Sequence, residues 1–168
     1  MNKPARIVAA AAAAAIILTG CSAPPNAASV VGGERISDRD VRDAGGAIAA
    51  VTGADPATAV RQAAFDLTLG EASRQIAVRA GVTVTDAARQ AVIDADPAFR
   101  QVATLPEGAD WAAARSTTYA LVEQLGNDRF VQELGKTPIT FNPRYGAWDP
   151  QQLGLTSSAL STAVQAQR

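Results

Sequence analysis

Three pairs of carboxylates stand close together along the chain: Asp38 with Asp40, Asp94 with Asp96, and Glu107 with Asp110. Two acids held in one cleft with their pKa values pushed apart make a general acid and a general base, the pairing used to hydrolyse glycosidic bonds. Each pair here falls at a predicted helix start, where acids cap the first amides and face the positive end of the helix dipole. Capping is therefore the reading adopted for all three, and for Asp149-Pro150, a fourth site of the same kind. Asp38-x-Asp40-x-x-Asp43 has the acid spacing of a calcium loop but lacks the glycine at loop position 6 and the closing glutamate at 12. The chain has no histidine, which excludes a His-based triad, a His-bearing zinc site and a His proton shuttle. Lys136 is the only lysine after Cys21 and has no visible partner for Schiff-base chemistry. No phosphate-binding glycine loop and no Gly-x-Ser-x-Gly elbow occurs. The one enzyme class left open is a carboxylate-only hydrolase, which requires a paired-acid cleft with one raised carboxyl. No catalytic residue, cofactor or metal site is expected.

The remaining reactive group is the thiol of Cys21, and its context determines its reading. Lys3 and Arg6 precede an apolar run from Ile7 to Leu18 that includes seven consecutive alanines. That is the charged and apolar layout of a secretory signal segment, and it is shorter than the roughly 20 residues a membrane-spanning helix needs. Leu18-Thr19-Gly20-Cys21 resembles a bacterial lipobox. The resemblance implies cleavage before Cys21 and attachment of acyl chains to it, with residues 1–20 as signal peptide. Two or more chains would anchor the protein stably where one would not. The expected location is the outer face of the bacterial cytoplasmic membrane.

Removing Lys3 and Arg6 leaves 13 basic residues against 16 acids, a mature charge of −3. This balance gives no electrostatic basis for nucleic-acid binding and no polybasic membrane patch. With Cys21 the only thiol, no disulfide is available and packing must hold the fold. The 148 residues from Cys21 onward fit one domain.

The elements follow in order. Residues 21–27 form a short tether with two prolines. Ala28 to Val31 and Glu34 to Ile36 read as strands about the Gly32-Gly33 turn. Ser37 with Asp40 three residues on is similar to a capping box and predicts a helix from Asp38 to about Val51, weakened by Gly45-Gly46. Asp55-Pro56 opens the longest predicted helix, closed by Gly81, with Val60, Ala64, Phe65, Leu67, Leu69, Ala72, Ile76 and Ala80 along a broad apolar stripe. Thr85 caps a helix to about Asp94, and Asp96-Pro97 starts a short one ending near Val102. Leu105-Pro106-Glu107-Gly108 reads as a turn, and Asp110 as the cap of a helix ending at Gly126, with Trp111, Ala114, Thr118, Leu121, Val122 and Leu125 on one face. Asp128 to Leu134 is a last helical piece. Thr137 to Phe141 alternates as a short strand, then Asn142-Pro143-Arg144-Tyr145-Gly146 makes a turn. The tail, residues 150–168, either docks as a short helix or frays. Among the aromatics, Tyr145 and Trp148 lie in turn-rich sequence and are expected to be partly exposed.

Val30-Val31-Gly32-Gly33-Glu34-Arg35-Ile36-Ser37 resembles the opening of the chaperone domain in SurA-like and PrsA-like extracytoplasmic foldases, with Gly32 where that family usually has Asn. Ile139 to Gly146 resembles the returning strand and turn of actinobacterial lipoproteins carrying this SurA N-terminal-type domain. The likeness covers about residues 28–149. It implies a mainly α fold, a multi-helix domain with a long central helix and a minor β element formed by short N-terminal strands and a returning C-terminal strand. No parvulin domain is present, since only a few residues separate Leu134 from that strand, so prolyl isomerase activity is not implied. What the resemblance implies is a non-catalytic chaperone or holdase for unfolded or extended segments of exported polypeptides. Its walls would come from Phe65, Leu69, Ile76, Trp111, Leu121 and Leu125, with Tyr145 and Trp148 at the exposed end. The competing expectation is a structural or assembly subunit that binds one dedicated cell-envelope partner.

Overall fold

The computed structural model describes residues 24–149 and 154–156. The signal segment, Cys21 and most of the tail lie outside these residues. The fold is mainly helical with a small antiparallel sheet, as expected. Strand β1 (Ala27–Val31) turns through Gly32 and Gly33, at φ 56° and 96°, into β2 (Glu34–Ser37). Positive φ at both turn positions is what a two-residue hairpin demands, and glycine meets it without steric cost. Strand β3 (Ile139–Phe141) returns to the other side of β1, pairing Ser29 with Phe141 and Val31 with Ile139, so the order is β2-β1-β3.

Helix α1 (Asp38–Thr52) starts at Ser37, whose hydroxyl accepts from the Asp40 amide at 3.1 Å. Helix α2 (Pro56–Ala80) is the spine, capped by Asp55 and closed by Gly81 in the left-handed conformation. Helices α3 (Asp86–Asp94) and α4 (Pro97–Ala103) have the expected Thr85 and Asp96 caps. Helix α5 (Pro106–Leu125) departs from expectation: Pro106 sits in its first turn, so the predicted turn at 105–108 is helix and Asp110 caps nothing. Proline suits the first helical position because its absent amide hydrogen would have had no partner. Gly108, which reads as a turn glycine, instead lets α5 approach α4, as a Cβ there would lie 2.3 Å from the Val102 carbonyl oxygen. Helix α6 (Asn127–Leu134) follows Gly126.

A second sheet pairs β4 (Ala147–Asp149) with β5 (Gly154–Thr156), so residues 154–156 form a strand rather than the short helix or frayed end expected of the tail. Trp148 pairs with Leu155 there, and both side chains pack on the core. The Trp148 ring stacks on Phe141 at 6.1 Å and lies 6.4 Å from Phe65.

Burial on α2 extends beyond the predicted apolar stripe, because α1, α5, α6 and β1 all pack against it. Asp66, Thr68, Glu71 and Ser73 are buried with it. Each is paired, as buried polar groups must be: Thr68 with Ser29 at 2.6 Å, Ser73 with Thr118 at 3.0 Å, and Glu71 with Gln75 at 2.8 Å and with Arg74. The main core gathers α1, α2, α4 and α5 around Phe99 and Trp111; a second cluster gathers Val31, Ile76, Leu121, Phe130 and Leu134.

Candidate functional site

Helix α2 carries Gln62, Phe65, Asp66 and Leu69, and α5 carries Arg115, Thr118, Tyr119 and Val122. Both sets follow the i, i+3, i+4, i+7 spacing that places residues on one helix face. The faces meet along a largely apolar groove of about 390 Å³. Tyr119 is its most open apolar wall, at 51% exposure.

The groove is organised from beneath by one buried carboxylate. Asp66 Oδ2 accepts from Trp111 Nε1 at 2.8 Å and from Arg115 Nη1 at 2.9 Å. Arg115 also donates from Nη2 to the Tyr119 hydroxyl at 3.1 Å, and its guanidinium carbon lies 5.0 Å from the Tyr119 ring centre and 5.6 Å from that of Trp111. The arginine therefore spans core and surface, with its charge neutralised by Asp66 and its plane set among aromatic rings. Burial pushes the Asp66 carboxyl above its ordinary 3.8, against the downward pull of the Arg115 charge and the Trp111 hydrogen bond. Among the described residues Asp66 is the only acid lining this groove.

Of the eight expected client-binding residues, only Phe65 and Leu69 line the groove. Ile76 and Leu121 are wholly buried, and Trp111 is 4% exposed, so these three are core rather than wall. Leu125 is half-buried against the second cluster, and Trp148, in contact with Phe65 and Phe141, is also half-buried, so it is partly exposed as expected. Tyr145, expected to be partly exposed, is only 5% exposed. The cause is Asp38, which is not a simple helix-start acid. Its Oδ1 accepts from the Tyr145 hydroxyl and from Arg144 Nη1 at 3.0 Å, and its Oδ2 meets Arg42 Nη2 at 2.6 Å. This latch ties the turn after β3 to the start of α1. The Tyr145 bond leads in holding the Asp38 carboxyl below 3.8, while burial, followed by the bond to Asp38, pushes the Tyr145 hydroxyl up to about 12.

The other acids have separate roles. Asp96 accepts from the Ala98 and Phe99 amides at 2.8 and 3.2 Å, while Asp94 meets Arg100 at 3.5 Å. Asp43 pairs with Arg39 at 3.4 Å. Among the described residues no three acids gather to hold a metal ion, and no helix is long and apolar enough to cross a membrane.

The opposite shifts of Asp38 and Asp66 predict opposite acid responses. A carboxyl with a lowered native pKa contributes stability above its unfolded pKa, and that stability is lost as pH falls through the native value. A raised carboxyl binds its proton more tightly in the native state, so its contribution falls as pH rises above the unfolded value. Measured against Asp38→Asn, the unmodified chain should therefore lose stability as pH drops below about 3.8. Measured against Asp66→Asn, it should lose stability as pH rises above that value. Urea midpoints across this range test both, and difference curves of the same sign would contradict the two environments.

Neither the protein-family models, nor the curated proteins, nor the solved structures include a match to this chain.

Proposed function

We propose that this chain is a lipid-anchored, non-catalytic chaperone-like domain that holds extended segments of exported polypeptides in the α2/α5 groove on the outer face of the cytoplasmic membrane. The observation that carries this reading is the groove itself, with apolar walls from Phe65, Leu69, Tyr119 and Val122 beside the hydrogen-bonding groups of Gln62, Arg115 and Thr118. Apolar walls supply affinity without sequence specificity, and polar groups alongside can bond the backbone of an extended chain. A volume of about 390 Å³ is near the low end of ligand sites, about 300–1,000 Å³, which suits one or two side chains of a client at a time. The likeness to SurA N-terminal-type domains supports the same class. An anchor at Cys21, three residues before Pro24, would keep the fold within about 10 Å of the headgroups.

Tyr119 offers the cleanest test because its ring is half in solvent and can be removed with little effect on the core. Covering about 100 Å² of it at about 25 cal/mol per Å² supplies about 2.5 kcal/mol, part of which is spent on ordering the client. Tyr119→Ala should weaken binding of an extended apolar peptide about tenfold and reduce suppression of client aggregation, with Tm nearly unchanged. Equal activity in the variant and the unmodified chain would remove the groove from the reading. Capture of one stoichiometric envelope protein, with indifference to unfolded clients, would establish the assembly-subunit alternative instead.

A further inference from the structure

Helix α3 is bordered by open space on both sides. One cleft, about 440 Å³, lies over α2 and α5, with Gly70, Ala114 and Thr117 among its lining residues, and is bordered by Arg35 and Ile36 of β2 and by Arg89 of α3. The other, about 430 Å³, lies between α3 and α4, with Ala109, Ala112 and Ser116 along α5. Arg89 of α3 and Ala113 of α5 line both. The two clefts thus meet at Arg89 of α3 over a face of α5 composed mainly of small side chains, away from the aromatic groove.

No residue of α3 is buried. Its tertiary hold comes from half-buried Val92 and Ile93 packed on the main core. The polar bonds of α3 and its flanks stay local: Ala88 to the Thr85 cap at 3.2 Å, Arg89 to the Val84 carbonyl at 3.3 Å and to Asp86, and Gln90 to Asp94 at 3.1 Å. At its far end Arg100 of α4 donates to the Asp94 carbonyl at 2.8 Å. None of these bonds reaches α2 or α5; the flank is tied to the end of α2 by the Val82 amide, which donates to the Ala77 carbonyl at 2.9 Å. Separating α3 from α5 therefore breaks only partly buried apolar contacts, whereas separating α2 from α5 breaks the Asp66, Arg115 and Trp111 network and a continuous core. The segments flanking α3 are suited to bend: residues 82–85 form no helix or strand, and Asp96 anchors α4 independently through its own cap bonds.

We propose that α3 is a hinged cover that leaves the α5 face as a unit at a free energy well below that of global unfolding, joining the two clefts into one trough. Local opening of this kind occurs where buried apolar contacts are few. The proposal is independent of the chaperone reading.

Thiol labelling in the full chain carrying Cys21→Ser provides the test. Ser116 and Ser73 are both wholly buried, but only Ser116 lines the α3/α4 cleft, while Ser73 bonds Thr118 between α2 and α5. Under native conditions Ser116→Cys should be modified about 100-fold faster than Ser73→Cys. Equal rates, after correction for each variant's global stability, would overturn the hinge. Amide exchange on the unmodified chain gives a second readout that needs no substitution in the fold. A nine-residue helix cut loose cannot hold its own hydrogen bonds, so amides of 86–94 should exchange together and ahead of those in α2 and α5. Protection of α3 equal to that of α2 would count against the proposal.

Discussion

Trp111→Ala should be the most damaging single truncation in the chain, costing about 4 kcal/mol and lowering Tm by more than about 10 °C. Trp111 is 4% exposed and meets Phe99 edge to face at 5.1 Å in the main core. Truncating a buried aromatic loses its transfer free energy and leaves a cavity that the neighbours only partly fill, together about 3–5 kcal/mol. Here the indole also donates to Asp66 at 2.8 Å, so its loss leaves a buried carboxylate with one donor fewer. Trp111→Phe separates the two effects, since it keeps much of the volume and removes the N–H; about 1–3 kcal/mol is expected from it. Urea denaturation of both variants measures the difference. If Trp111→Phe costs as much as Trp111→Ala, the packing argument fails; if it costs nothing, the carboxylate argument fails.

Gly70→Ala should destabilise the chain by about 2–3 kcal/mol, although alanine is the better helix former by about 1 kcal/mol. At Gly70 the backbones of α2 and α5 approach so closely that a Cβ would lie 2.3 Å from the Ala114 Cβ and 2.6 Å from its Cα. The second contact is with backbone, so no rotamer change relieves it and the helices must move apart, disturbing the Asp66–Arg115 pair on the same interface. The molecule supplies its own control in the adjacent pair Gly45 and Gly46. A Cβ on Gly45 would lie 2.7 Å from the Val60 Cα, whereas one on Gly46 meets nothing within 4 Å. Gly46→Ala should therefore stabilise by about 0.5–1 kcal/mol, and Gly70→Ala and Gly45→Ala should both lose stability. Thermal melts of the three variants check this. Stabilisation by Gly70→Ala would mean that the α2/α5 approach is looser than described.

Much of the secondary structure was readable because its signals are local. The Asp55-Pro56 start, the Thr85 and Asp96 caps, the closing Gly81 and the Gly32-Gly33 turn each act within a few residues of themselves. The misread start of α5 has the same origin in reverse: Pro106 and Gly108 are turn residues by composition, and only the approach of α4 makes Gly108 a packing glycine. Asp38 shows the limit again. Its position next to Ser37 accounts for a helix-start acid, but nothing nearby in sequence announces Arg144 and Tyr145, more than 100 residues on.

The groove was half legible. Phe65 and Leu69 stand out as apolar residues on the longest helix, and Val122 lies on the predicted stripe of α5, yet a scan for hydrophobic stripes passes over Tyr119, which follows Arg115 on its face. The same scan selects Ile76, Trp111 and Leu121 as walls, since hydrophobicity alone does not distinguish a residue that lines a groove from one that fills a core. By itself the sequence determined the helical class, most element boundaries, the hairpin and the absence of histidine chemistry, because composition and short-range hydrogen bonding act along the chain. Only the tertiary structure decided which faces of α2 and α5 meet, which acids are buried and which apolar residues stay open, because those depend on contacts between segments about 50 to 100 residues apart, which no local preference encodes.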